Sequence, residues 1–275
     1  MKLGISTSVY RNYSIEETIS RISSHGYEGI ELLGSDPHLY PYRPIPGQID
    51  KIKRMAKDHD LEIVAYTPKQ LGIPINLCSP LDEIRKFTLE YLREGIKIAN
   101  LLGSLMMVVL PGRTILGQNR ITVLDELKRS VKKLYEEAKN HDVKIAIEIL
   151  PSLESNIFTT AEDVAEFFED TNDENLGLLV DVGCLKVAKI SVTDIIKKLE
   201  DRVIYVHLND NDGMVNSHLP PGRGVINFRY FIRLLKSIKY EGFLTIELSP
   251  QFEIDPDDVA AESIMYTKKI LESIQ

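Results

Sequence analysis

Tryptophan is missing from this 275-residue chain, and cysteine occurs only twice, at Cys78 and Cys184. Two thiols close at most one bridge, which excludes a disulfide-built fold and suits a reducing compartment. No apolar run approaches the ~18 residues that a membrane-spanning helix needs. The opening segment MKLGISTSVY has no basic stretch leading into an apolar one, so no secretory signal is expected and the reading is cytoplasmic. Basic residues are in the minority, 33 Lys+Arg against 41 Asp+Glu, for a net charge of −8. That balance disfavours a protein whose affinity rests on neutralising many phosphates. What is left is an enzyme of small molecules, with neither nucleic acid nor membrane as partner, and with homo-oligomerisation open.

Long Pro/Gly/Ser-rich linkers are missing as well, so residues 1–275 read as one domain. Aliphatic runs alternate with amphipathic stretches from end to end. Eight strands are expected, at Lys2–Val9, Gly29–Leu33, Glu62–Pro68, Ser104–Gly112, Val143–Leu150, Leu176–Gly183, Val203–Asn209 and Gly242–Pro250. Dividing 275 residues by eight gives about 34 per unit, a βα repeat. The stretch VLDELKRSVKKLYEEAKNHD carries Leu124, Leu127, Val131, Leu134 and Ala138 at helical spacing. Ser14 and Ser191 are expected helix starts and Gly26 a helix stop, with His25, His59 and His141 near helix ends. A doubly wound sheet of the dinucleotide-binding type needs a Gly-rich turn after its first strand, and Gly4-Ile-Ser-Thr7 offers none. The expected fold is therefore a single (β/α)8 barrel.

Strand periodicity then locates the chemistry. Ile145, Ile147 and Ile149 share one face and Glu148 the other; Leu178, Val180 and Val182 oppose Asp181; Ile204, Val206 and Leu208 oppose His207; Leu244, Ile246 and Leu248 oppose Glu247. In a barrel the aliphatic face meets the helices, so Glu148, Asp181, His207 and Glu247 point inward near the C-terminal ends of four consecutive strands, where barrel active sites lie. Three carboxylates at one depth call for a cation. Oxygen-rich ligation with one imidazole favours Mn2+, with Mg2+ or Co2+ as alternatives, over a thiolate-type Zn2+ site, though zinc stays possible. A metal-free cluster holding one protonated carboxyl is the rival. Glu31 shares the inward phase, either touching substrate or sealing the rim.

The segments IAIEIL, LLVDVG, YVHLNDNDG…HLPPGRG and TIELS, in this order, resemble the xylose-isomerase-like family of divalent-metal barrels, which includes sugar isomerases and epimerases, hydroxypyruvate isomerase, inosose dehydratase and the endonuclease IV branch. The resemblance covers most of the chain. It implies that Glu148, Asp181, His207 and Glu247 bind one metal. It also implies that Glu148 and Glu247 exchange a substrate proton through a metal-stabilised enediolate of a sugar or sugar phosphate. Glu154, six residues after Glu148, matches a substrate-contacting glutamate of ketose epimerases; as an exposed loop acid it needs no such role. The HLPPGRG segment, with His218 and Arg223, looks like the family's substrate loop, although a structural salt bridge would also account for Arg223. Cys184 stands where many members have His, which leaves the substrate open. Asn216-Ser-His218 replaces the Asp-x-His that a three-zinc nuclease needs. The implied activity is isomerase or epimerase. A dehydratase is the alternative, followed by a sugar-binding barrel without turnover and, last, a nuclease.

The loop Pro37–Arg43, Lys69 and Arg113 would border the mouth. Its tyrosines would stack on a sugar or pack on a neighbour, and the two cations would meet a phosphate.

Overall fold

In the computed structural model, which describes residues 1–42, 44–171 and 173–274, eight parallel strands follow one another around a closed barrel in chain order. They are β1 (Lys2–Ser6), β2 (Gly29–Gly34), β3 (Glu62–Pro68), β4 (Met106–Val109), β5 (Lys144–Glu148), β6 (Leu176–Asp181), β7 (Val203–Leu208) and β8 (Phe243–Ile246). Around them run α1 (Ile15–Ser24), α2 (Gln48–Asp58), α3 (Asp82–Leu102), α4 (Arg120–Lys139), α5 (Ala161–Glu169), α6 (Val182–Ala188), α7 (Val192–Leu199), α8 (Phe228–Ser237) and α9 (Asp257–Glu272). The expected (β/α)8 barrel is what the chain forms.

Alternation along the strands builds two cores. Outward residues, among them Ile5, Ile145, Ile147, Val180, Val206 and Ile246, are fully buried against the helices. Inward residues Val64, Met106, Val108, Ala146, Leu179 and Tyr205 fill the barrel. One residue departs from the expected phase. Ile204 packs against the interior cluster, because the register between β6 and β7 shifts at Leu178/Leu179 and puts one extra β7 residue inside. Gly177 makes room: a Cβ there would lie 2.5 Å from Ile204.

Several strands are shorter than their hydrophobic runs. β1 stops at Ser6, whose side chain accepts from the Ser8 amide and opens a 3-10 turn over Thr7–Tyr10. β8 stops at Ile246, one residue before Glu247, which nonetheless donates its amide to the Leu208 carbonyl and so stays in register with β7. The run through Gly183 is interrupted by α6, for which Asp181 is the N-cap. Ser14 and Ser191 cap α1 and α7 through the amides of Glu17 and Asp194. His25 and His59 occupy the C-caps of α1 and α2, while His141 lies one residue beyond the α4 cap.

One cap couples two helices and generates a pH prediction. Asp163, in the capping box of α5, accepts from the amides of Thr159 and Thr160 and pairs with Arg120 of α4 at 2.6 Å. Burial works against its charge, but the Thr159 and Thr160 bonds and Arg120 hold the carboxyl below its ordinary range. Asp163→Ala should cost about 1 kcal/mol. A depressed folded pKa stabilises above the unfolded value and is lost as pH falls through the folded one. The melting-temperature gap between wild type and variant should therefore be full at neutral pH and narrow below about pH 4. A gap independent of pH in thermal melts would refute the assignment.

Candidate active site and metal centre

Glu148 and Asp181 are the last residues of β5 and β6, His207 is the penultimate residue of β7, and Glu247 directly follows β8. Their ligand-capable atoms all lie within 4.8 Å of one another, a constellation able to hold a metal ion. Its centre is His207, whose Nδ1 stands 3.3 Å from Glu247 Oε2 and 3.9 Å from both Glu148 Oε1 and Asp181 Oδ2. The opposite nitrogen, Nε2, lies 2.7 Å from Glu31 Oε2. A carboxylate accepts, so Nε2 carries the proton and Nδ1 turns its lone pair toward the three acids. Nδ1 is buried and has no hydrogen-bond partner. Glu31 is thus the orienting partner of the imidazole, a third possibility beside substrate contact and rim seal.

The electrostatics support the same fit. Burial, reinforced by repulsion from Glu247, drives the Glu148 carboxyl far above the usual carboxylate range. Burial raises Asp181 too, with Glu247 adding to the effect. Glu247 is only half-buried, and although what burial it has opposes its charge, His218 and His207 outweigh that and hold it well below its ordinary value. Burial lowers the affinity of His207 for a second proton, but Glu31 and Glu247 more than compensate. Left to themselves, these groups retain protons to limit the crowding of negative charge. A buried imidazole nitrogen without a hydrogen-bond partner, facing three carboxyls, is a donor set that a divalent cation satisfies by taking the place of the second proton on Nδ1.

The chain after β7 arranges the rim. Asn209 donates from Nδ2 to Asp181 Oδ2 at 2.6 Å, while the Cys184 amide donates to Oδ1 at 2.7 Å, so Asp181 is held from both sides. Gly183 is needed for this approach, since a Cβ there would fall 1.8 Å from Asn209 Oδ1. The next residue, Asp210, accepts from the amides of Asn211, Gly222, Gly224 and Ile226 at 2.9–3.1 Å, and its own backbone pairs with Leu219. This fully buried carboxyl shapes the loop that carries His218. The asparagines and Asp210 were visible only as part of the LNDNDG string; a polar run directly after a barrel strand was their one sequence signal.

The remaining sequence candidates separate into two groups. His218, at φ +40°, brings Nδ1 to 3.4 Å from Glu247 Oε2. Although burial opposes it, Glu247 and Asp181 raise the His218 pKa to about 9. Asn216 donates to Glu154 Oε1 at 3.0 Å and to Cys184 Sγ at 3.4 Å, joining those two residues beside the cluster. Burial and the nearby acids push the Cys184 thiol well up, keeping it neutral. Arg223 lies elsewhere. Its guanidinium forks onto Glu262 of α9, so contact with a substrate would require it to leave that carboxylate. Tyr42 stacks on Phe87 of α3 and Tyr40 packs on Tyr91, so this part of the tyrosine loop packs on its own chain. Arg43 lies outside the described residues.

Residues 19–270 match the family model for the xylose isomerase-like TIM barrel, and the chain belongs to that family. A fructoselysine 3-epimerase of Shigella flexneri is 26% identical over 271 residues, covering 98% of each chain. An uncharacterised protein of Methanocaldococcus jannaschii is 29% identical over 252 residues, 90% of this chain and 83% of its own. The crystal structure of a D-tagatose 3-epimerase-like protein superposes with a TM-score of 0.86 at 27% identity, covering 100% of this chain and 98% of that one. With such neighbours the chain is an enzyme of the isomerase and epimerase kind. Among the described residues, no helix is long and apolar enough to cross a membrane.

Because Glu31 is the partner of Nε2 of His207 among the described residues, Glu31→Ala should weaken divalent-metal affinity about 10- to 100-fold. Calorimetric titration with Mn2+ reads this directly. An unchanged dissociation constant would mean that Glu31 does not orient the imidazole.

Proposed function

We propose that the protein epimerises a ketose at the carbon next to its carbonyl, with one divalent cation, Mn2+ before Mg2+, Co2+ or Zn2+, held by Glu148, Asp181, His207 and Glu247. The observation that carries this reading is the pair of glutamates on either flank of His207, from strands three apart in the barrel, inside one ligand cluster. The relatives named as fructoselysine 3-epimerase and D-tagatose 3-epimerase-like protein favour epimerisation over aldose–ketose isomerisation. Two unpaired cysteines suit a reducing, cytoplasmic setting.

When bound, the cation polarises the carbonyl and neighbouring hydroxyl of an open-chain sugar and so makes the adjacent C–H acidic. Glu148 or Glu247 takes that proton, the other returns one to the opposite face of the carbon, and configuration inverts with no change in composition. Glu31 keeps the imidazole of His207 in one tautomer throughout. His218 pairs electrostatically with Glu247 at 3.4 Å and limits its rotation, while hydrogen bonds from Asn209 and the Cys184 amide hold Asp181. Glu154, Cys184 and His218 line the approach and contact substrate hydroxyls, with Asn216 setting the first two relative to each other. The neutral Cys184 thiol donates weakly where a charged imidazole would bind firmly, so affinity at that hydroxyl is modest.

The test is deuterium incorporation from D2O into a pool of ketoses, aldoses and their phosphates, followed by NMR with Mn2+-loaded protein. Exchange at a carbon next to the carbonyl is expected, with a product of unchanged composition, and removal of the metal by a chelator should abolish it. Glu148→Gln and Glu247→Gln should each lose about 10²- to 10⁴-fold in turnover while folding normally. Near-wild-type turnover in either variant would eliminate the proposed pair, and a product lighter by one water would make the enzyme a lyase.

A further inference from the structure

Beside the metal cluster, over the C-terminal ends of β3, β4 and β5, lies a cavity of about 420 Å3. We propose that it is the second half of the substrate site, and that it takes an apolar arm on the ketose ending in a carboxylate. This inference rests on the epimerase reading and specifies its substrate class.

The wall is mostly aliphatic: Leu71, Ile73 and Leu77 from the segment after β3, Leu110 after β4, and Leu153 after β5. Leu71 and Leu153 stand 47% and 82% exposed, apolar surface that a bound arm would cover. The wall's two side-chain amides are already committed. Gln70 donates to the carbonyls of Pro68 and Val108 and accepts from the Leu110 amide. Asn76 donates to the Arg113 carbonyl and accepts from the amides of Cys78 and Arg113. Both staple the loops together, so most of their hydrogen-bonding capacity is spent within the protein, and an apolar arm suits this largely aliphatic wall better than a second polyhydroxylated ring.

Two charged residues complete the wall, and they give the cavity a direction. Glu154 is tied through Asn216 to Cys184, hence to the metal side. Arg113 is exposed; its guanidinium donates to the Leu153 carbonyl at 3.3 Å, and no carboxylate lies within salt-bridge distance of it among the described residues. A planar fork with free donors at the solvent side of an apolar channel matches a carboxylate. The volume falls within the range of cavities that enclose whole small ligands. The sugar would thus sit at the cluster under Glu154, the chain along the leucines, and the carboxylate at Arg113.

The experiment compares kcat/KM for a free ketohexose, for the 1-amino-1-deoxyketose carrying an N-hexyl arm, and for the same sugar carrying a hexanoate arm. Calorimetric affinities of the corresponding reduced, unreactive polyols give a second readout. Both quantities should rise from the free sugar to the hexyl to the hexanoate compound, by about tenfold or more overall. Ile73→Trp should return the armed compounds to the level of the free sugar and leave the free sugar unchanged. Arg113→Gln should lower only the hexanoate compound, by about tenfold, consistent with losing one charged hydrogen bond. Equal constants for all three sugars, or variants that affect all three alike, would overturn the arm site. So would an equal preference for short ketose phosphates, which would mean that only an anion is read. If the variants instead shift the oligomeric state in light scattering without altering selectivity, a second copy fills the cavity and the proposal fails. If no ketose exchanges deuterium while the armed polyols still bind through Ile73 and Arg113, the epimerase reading falls and the arm site stands.

Discussion

Three carboxyl groups and an imidazole, all but Glu247 buried, offer ligand atoms within 4.8 Å of one another where four strands converge. Like charges at that separation in a partly dehydrated site repel strongly, and the mouth of the barrel is built around that cost. The Glu31–His207 hydrogen bond fixes which imidazole nitrogen faces the acids. Asn209 and the Cys184 amide each take one oxygen of Asp181, and His218 approaches Glu247. Each contact holds a carboxylate or the imidazole in a position it would not keep by itself. Together they preorganise a cradle for positive charge, so binding a cation does not also have to order the side chains.

The placement of the acids depends on the strands more than on their immediate neighbours. Each of the four residues lies at or within one residue of the end of a strand whose outward residues are fully buried, such as Ile147 beside Glu148 and Val206 beside His207. A one-residue slip would exchange those faces and drive apolar side chains into the lumen and carboxylates into the helix layer. The bulge at Leu178/Leu179 shows how this is avoided. It turns Ile204 inward at the bottom of β7, yet Asp181 and His207 remain register partners at the top. The irregularity is confined to the end of the barrel away from the chemistry.

The sequence made the barrel and the four-residue cluster readable for one reason: both follow from period-two alternation, which survives in a single chain. Glu148, Asp181, His207 and Glu247 each stand in phase opposite aliphatic residues, and the strand ends place them at one depth. What alternation does not encode was less legible. α6 was hidden because its N-cap is Asp181 itself, so one residue both ends a strand and starts a helix. The role of Glu31 needed the closure of β2 onto the far side of the barrel, a contact 176 positions away in the chain. Asp210 was unreadable as a loop anchor, since its four amide partners lie up to sixteen residues downstream and present no side-chain pattern. Arg223 was ambiguous for a similar reason. A Gly-flanked arginine on a Pro-Pro turn fits a substrate or a carboxylate equally, and only the position of α9 brings Glu262 to it.

This division of labour separates two kinds of evolutionary freedom in the fold. Glu148 and Glu247, the pair proposed to move the proton, sit at strand ends, where the backbone is locked on both sides by neighbouring strands. The residues that would read the rest of a substrate, Glu154, Cys184, Asn216 and His218, sit in or at the start of segments that follow the strands; Glu154 and Asn216 are tied to each other by one side-chain hydrogen bond. Replacing a loop residue there would alter those contacts without moving the acidic cluster, since Asp181 and His207 are fixed by Asn209 and Glu31 and not by the loop tips. Cys184 illustrates the point: its backbone amide serves Asp181 whatever its side chain, while its thiol alone faces Asn216. The same residue thus contributes a structural bond through its main chain that does not depend on side-chain identity, and an adjustable contact through its side chain, so a change of thiol at this position would leave the acidic cluster in place.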